Sequence, residues 1–229
     1  MKGWRIAYSR TLGYAKVDPE VSMLVEKALN VFIDLGAKVE EIDLQLQDPI
    51  EIMQPLWSVA LALAIAPMTP QQRALVEPPL LAIAEPGFHI GAIEYRQIEK
   101  AREAFGRRMN GLHASYDLLI TPQMPITAFA AGHEVPPGGE RQRWWEWSPF
   151  TYAFNLTQQP AASVPCGFDS RGLPVAMQLV GAKFADARVL RAARAFESVA
   201  PFRMPANPEP QLRASTARTQ SMPDPTDPS

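Results

Sequence analysis

The chain has 229 residues, 47% of them hydrophobic, a net charge of −2 and one cysteine. Without a basic field it is a poor partner for nucleic acid or an anionic membrane surface, and a lone cysteine rules out an internal disulfide, which fits a reducing, cytoplasmic setting. This length suits one large domain that buries roughly 70–75% of its unfolded surface.

Arg5-Ile6-Ala7-Tyr8 reads as a short apolar strand after a start that lacks a hydrophobic core of signal-peptide length. Asp18 then suits a helix N-cap, with Pro19 at the first position and Glu20 favourable to the helix dipole. Val21, Leu24, Val25, Ala28, Phe32 and Leu35 recur at helical spacing, and Gly36 suits a left-handed C-cap. Val39 to Leu44 reads as the next strand. A strand, a helix and a strand in this order imply a parallel pair joined by a right-handed crossover.

A helix is expected from Pro49 to about Ala66. The run Leu56–Ala66 within it is too short to span a bilayer. Pro67, Pro70, Pro78, Pro79 and Pro86 divide the next stretch into short pieces. From about Ile93 to His113 a long helix is expected, with Ile98, Ala101, Phe105, Met109 and Leu112 on its inner face. Asp117 to Pro122 reads as a buried strand, and Gly132 to Gly139 as a loop. Ala161–Phe168 and Val175–Ala182 read as paired strands joined by the turn Asp169-Ser170-Arg171-Gly172. Pro165 and Gly167 place the first of them at an edge or in a bulge. Asp186 is expected to cap a last helix with Val189, Leu190, Ala193 and Phe196 inward. From about Pro205 the chain is too poor in large apolar residues to offset its ordering entropy, so disorder is expected there. The fold class is α/β, a mixed sheet flanked by helices, with residues 1–204 as the folded unit and 205–229 as a tail.

Catalytic motifs are sparse. Gly-x-Ser-x-Gly does not occur, and His89, His113 and His133 stand outside any catalytic context; His113 closes a helix, where positive charge suits the dipole. Cys166, in a strand between Pro165 and Gly167, reads as a buried small hydrophobe rather than a nucleophile. No His, Cys or carboxylate pair shows metal-ligand spacing, and Gly138-Gly139 is too short to cradle phosphate, so neither a metal nor a cofactor is expected. The densest aromatic cluster is Trp144-Trp145-Glu146-Trp147 with Phe150 and Tyr152. Three tryptophans in four residues cannot all enter one core. The cluster is therefore read either as packing or as the wall of an apolar pocket or subunit contact.

One stretch resembles a known family: Asn155-Leu156-Thr157-Gln158-Gln159-Pro160-Ala161-Ala162-Ser163-Val164-Pro165-Cys166-Gly167-Phe168, followed by Gly172-Leu173-Pro174-Val175-Ala176-Met177-Gln178-Leu179-Val180-Gly181. With Gly3–Ser9, Leu12–Ala15, Val17–Val21, Leu35–Glu41, Tyr116–Pro122, Trp144–Pro160 and Phe184–Glu197, it is similar to the C-terminal half of the amidase signature family. The resemblance implies hydrolysis of a carboxamide to carboxylate and ammonia. In the family a neutral lysine draws a proton through a bridging serine from a nucleophilic serine, and backbone N–H groups hold the oxyanion. Those residues belong to the family's other half, so no catalytic residue is assigned here; Trp147, Phe150 and Tyr152 are the candidates for pocket wall. The segment like Lys2–Ile6 lies mid-chain in the family, so the chain is expected to be the C-terminal portion of an amidase-signature fold, inactive alone and prone to expose an apolar edge. Its partners would be a small amide and a complementary half or a second copy. Two other readings stand beside this one: an A-type component of a tRNA-dependent amidotransferase, and a non-catalytic remnant or split half.

Overall fold

The computed structural model describes residues 1–139, 143–202 and 204; the expected disorder of 205–229 falls outside them. Strand β1 is Arg5–Tyr8 and helix α1 is Pro19–Asp34. Asp18 caps the helix by accepting from Glu20 N–H at 2.8 Å, and Gly36 turns the chain at φ +88°. Strand β2, Lys38–Glu41, pairs parallel to β1 with Ile6 opposite Val39. It ends three residues earlier than the composition suggested. The Asp43 carboxylate accepts from Gln45 N–H at 3.0 Å, and this local turn competes with further strand.

Helix α2, Ile50–Ile65, carries Pro55 inside it and is followed by the short helices α3, Pro70–Arg73, and α4, Pro78–Ala84. Helix α5, Ala92–Gly111, then leads to strand β3, Leu118–Pro122. Every residue of β3 is buried, as a strand covered on both faces requires. The expected inner face of α5 is only partly right: Met109 is buried, but Ala101 is exposed. Arg102 takes the inward position instead and donates to Leu156 O at 2.9 Å, laying its stem along the neighbouring helix.

Helix α6, Pro149–Thr157, precedes the antiparallel hairpin of β4, Ala161–Phe168, and β5, Pro174–Val180. The five strands form one mixed sheet in the order β2-β1-β3-β5-β4, so β4 is an edge, and its register shifts between Pro165 and Gly167. Both expectations drawn from those two residues hold. Helix α7, Asp186–Val199, closes the described part. Asp186 is its first helical residue rather than its cap, and Leu190 is exposed while Ala192 is buried, because Val189, Ala192 and Phe196 form the inward stripe.

Alternation along the strands sorts the core. Ile6, Tyr8, Leu118, Ile120, Met177 and Leu179 face α1 and α7, where Phe32 stacks on Phe196 at 5.5 Å. Ala7, Leu119 and Val180 face α6 on the opposite side, with Phe150, Ala153 and Phe154. A third cluster of Met53, Ile83, Trp145, Tyr152 and Leu156 joins α2 and α4 to α6. Among the described residues no helix is long and apolar enough to cross a membrane.

Gln158 closes α6 at φ 57°, ψ 30°, a left-handed conformation that costs a residue with a Cβ about 1 kcal/mol. Gln158→Gly is expected to raise stability by about 1 kcal/mol, read as a rise of roughly 2–4 °C in Tm; its exposed bond from Lys183 Nζ, 3.1 Å, is too weak to offset this. Asp169 anchors the β4–β5 turn. Burial would raise its pKa, but hydrogen bonds from Leu173 N–H, the Thr127 hydroxyl and Arg171 lower it to about 2. The folded value lies below the unfolded one of about 4, so this stabilisation is present above about pH 4 and is lost as pH falls from about 4 to about 2. Melting temperature against pH should therefore fall less steeply over that window in Asp169→Asn than in the parent chain.

Candidate functional site

Residues Trp144–Trp147 form a single 3-10 turn, and Pro149 then starts α6 at a position where its missing N–H costs nothing. The tight turn splays the three tryptophans. Trp145 is buried among Met53, Ile83 and Tyr152. Trp144 meets Trp57 of α2 edge-on at 6.0 Å, and Trp147 leans the other way, edge-on to Phe129 at 5.2 Å, with Nε1 donating to Glu134 O at 2.9 Å.

Several clefts open around the segment: Trp145 borders one of about 570 Å³ with Trp57, Ser58 and His89, and two others hold the candidate wall residues Trp147 and Tyr152. The first, of about 380 Å³, is mostly apolar and is walled by Trp147, Phe129, Met124, Ile126 and the start of β5. The second, of about 540 Å³, is lined by Tyr14, Lys16, Asp48, Gln54, Trp145 and Tyr152. Tyr152 Oη donates to Asp48 Oδ1 at 2.7 Å, and the same oxygen accepts from Ile50 N–H at 3.0 Å at the start of α2. Tyr14 Oη donates to Pro149 O at 2.9 Å. Burial, together with the nearby Asp48 carboxylate, pushes both phenols well above the ordinary tyrosine range, so each stays protonated and acts as a donor.

The three candidate wall residues are thus not brought together. Trp147 lines the first cleft and Tyr152 the second. Phe150 lines neither: it is fully buried on the sheet face among Leu119, Met109 and Val180. Its inward turn follows from helical spacing, since Phe150, Ala153 and Phe154 share one stripe. Sequence reasoning missed Tyr14, Asp48 and Gln54. Tyr14 falls within the Leu12–Ala15 match, but its partner is 135 residues away, and no local signal marks it.

Reactive groups are few. Burial pushes the Cys166 thiol up to about 12, which removes the thiolate. His113 lies in a 3-10 turn, where Nδ1–H donates to Tyr116 O at 3.2 Å and burial lowers its pKa. Burial thus works against the charged form and so against the charge–dipole role suggested by its position. His89 pairs with Glu85 at 3.3 Å on the surface. Ser148, though buried at the start of α6, reaches, among the described residues, the carbonyls of Trp144 and Trp145. Among the described residues no group of three His, Cys or carboxylate side chains could hold a metal ion. The arrangement can bind and orient a ligand; among the described residues the clefts walled by Trp147 and by Tyr152 are lined by no serine.

On the same sheet face, toward the β4 edge, lies a polar slot of about 360 Å³ lined by Gln123, Thr151, Asn155, Gln159, Ser163 and Gln178. Gln178 is buried and donates to Thr121 Oγ1 and Phe150 O, both at 3.3 Å. Gln159 is 7% exposed; its Nε2 donates to Gly181 O at 3.2 Å, while its Oε1 has no partner among the described residues.

Comparison with known proteins places these features. The family model described as Amidase matches residues 1–190. An acylamidase of Rhodococcus erythropolis is 31% identical over 208 residues, a match covering 88% of this chain and 43% of that enzyme. The A-type component of the glutamyl-tRNA(Gln) amidotransferase of Brevibacillus brevis is 36% identical over 108 residues, 47% of this chain and 21% of that protein. The crystal structure of a bacterial aryl acylamidase of the amidase signature family superposes with a TM-score of 0.74 at 27% identity, over 87% of this chain and 44% of that one. The chain therefore spans less than half the length of the relatives it matches.

Proposed function

The chain belongs to the amidase family, and on that footing we propose that it forms the C-terminal part of an amidase-signature hydrolase, contributing pocket wall to a site whose nucleophile lies on a complementary segment. The observation that carries this reading is the acylamidase match, which covers 88% of the chain but only 43% of that enzyme, together with the absence of serine from the lining of the clefts at Trp147 and Tyr152 among the described residues. The reaction is addition of water to a carboxamide, releasing carboxylate and the amine, or ammonia from a primary amide. Trp147 would wall the side of the site that receives the apolar, aryl-bearing portion of the substrate. Tyr152, held by Asp48, would wall the polar side, and Phe150 would seat α6 on the sheet behind it. Residues 1–204 form the contributing part and 205–229 a tail. Stand-alone catalysis is not part of this reading.

The test is co-production with the part of the R. erythropolis acylamidase that this chain does not span, assayed on p-nitroacetanilide. Hydrolysis by the pair and by neither part alone is expected. Hydrolysis by the chain alone, or by no combination, overturns the proposal. The amidotransferase match supports a second reading, in which activity requires glutamine and a further polypeptide; release of ammonia from glutamine but no anilide cleavage would favour it.

A further inference from the structure

The β4 edge differs from an edge that is meant to stay free. Natural edge strands guard themselves with charge, proline or bulges. In β4 the bulge and Pro165 blunt only the C-terminal half, and the whole strand Ala161-Ala162-Ser163-Val164-Pro165-Cys166-Gly167-Phe168 carries no charge. The hydrogen-bond pattern shows which groups are free. Gly181 N–H bonds Pro160 O at 3.0 Å, so the backbone of residue 160 faces β5, and alternation turns Ala161 and Ser163 outward. On the other side of the hairpin Ala176, opposite Pro165, accepts from Gln123 N–H at 2.9 Å and so faces β3, in keeping with the same phase. Ala161 and Ser163 are both exposed. Beside them opens the polar slot, in which Gln159 is nine-tenths buried with its Oε1 unpaired among the described residues. A buried acceptor without a donor is costly, so a donor supplied from outside would be bound there.

We propose that the N-terminal half of β4, Ala161 to Ser163, together with the Gln159 slot, is the docking seam for the segment that completes the domain. That segment adds an extended strand to the edge and delivers one side-chain N–H or O–H donor to Gln159 Oε1. This rests on the reading of the chain as part of a longer amidase fold. The occupant follows from length: the acylamidase relative carries more than half its chain outside the match, enough to supply the strand. Main-chain bonds give such a seam its affinity, and the single buried acceptor fixes its register. The slot has no charged lining, so the seam takes a neutral, extended segment rather than an ionic one.

The experiment uses the chain co-produced with the unspanned part of the R. erythropolis acylamidase, read by light scattering and amide hydrogen exchange. A one-to-one complex in which the Ala161 and Ser163 amides become at least tenfold more protected is expected. Ser163→Pro removes an outward N–H that the β4–β5 hairpin does not use, so it should leave the melting curve of the chain unchanged and abolish the complex. Gln159→Leu should weaken the complex at least tenfold. If complex and anilide activity both persist in these variants, the seam is wrong while the functional reading stands. A self-pairing of the chain through β4, or a complex with Ala161 and Ser163 still exchanging freely, also overturns the seam. Failure of any combination to associate overturns both.

Discussion

Phe150→Ala is expected to cost about 3–5 kcal/mol, a loss that lowers Tm by roughly 6–20 °C. The side chain is fully buried and sits where α6 meets the sheet, packed with Leu119 and Val180 below and Met109 of α5 beside it. Truncation leaves a cavity between two rigid elements that cannot close, because Gln178 Nε2 ties the Phe150 backbone to β5 and Arg102 ties α5 to the end of α6. Chemical or thermal unfolding measures this directly. A phenylalanine that served only as pocket wall would behave differently: the alanine variant would melt with the parent and lose substrate affinity in the reconstituted enzyme. An unchanged Tm would therefore return Phe150 to the wall of the site.

Gly13→Ala is expected to cost about 2–4 kcal/mol, for two reasons that add. Gly13 lies at φ +100°, where a side chain is strained, and a Cβ there would stand 2.6 Å from Leu46 N and 3.0 Å from Gln45 Cα. Both neighbours are backbone and cannot swing aside. The loop at 44–46 is itself held against this turn by Leu46 N–H bonding Leu12 O at 3.2 Å, and by Arg108 reaching Leu44 O at 2.9 Å. The next residue is Tyr14, so displacement of the turn also strips the bond to Pro149 from the floor of the second cleft. Gly111→Ala supplies the control, since its Cβ meets nothing within 4 Å and the residue is helical. That variant should melt at or slightly above the parent. A Gly13→Ala chain that melts with it would show the turn to be free to move.

What the amino-acid order made legible was whatever neighbours decide. Strand β1, the Asp18 cap, the Gly36 turn and the bulged edge at Pro165–Gly167 each rest on a few adjacent residues, and each appears as read. The misplaced positions are those that only packing decides. Ala101 and Leu190 carry the right hydrophobicity for an inner face but face outward, because α5 buries an arginine stem and α7 turns its stripe by one position. The site shows the same division. The aromatic segment stands out by composition, and its splaying follows from the tight turn it forms. Its partition among several clefts does not, because the tyrosine–aspartate pairing joins Tyr152 to Asp48 across 104 residues. Gln159 gave no signal at all: a glutamine after a helix reads as surface, and only the closure of α6 onto the hairpin buries it.

The long reach between the first strand and its central neighbour has a consequence for how the chain comes into being. Ala7 pairs with Leu119, and Arg5 N–H bonds the Asp117 carboxylate 112 residues away. At about 5–20 residues per second, a ribosome needs roughly 6–20 s after making β1 to supply β3. Through that interval, while α2 to α5 are being made, the side of β1 that β3 covers lacks its strand partner. The hairpin β4–β5 pairs neighbours in sequence and docks only after β3 exists. Closure of the long loop between β1 and β3 is the topologically costly step, and a chaperone that shields a bare strand edge would have its longest opportunity here.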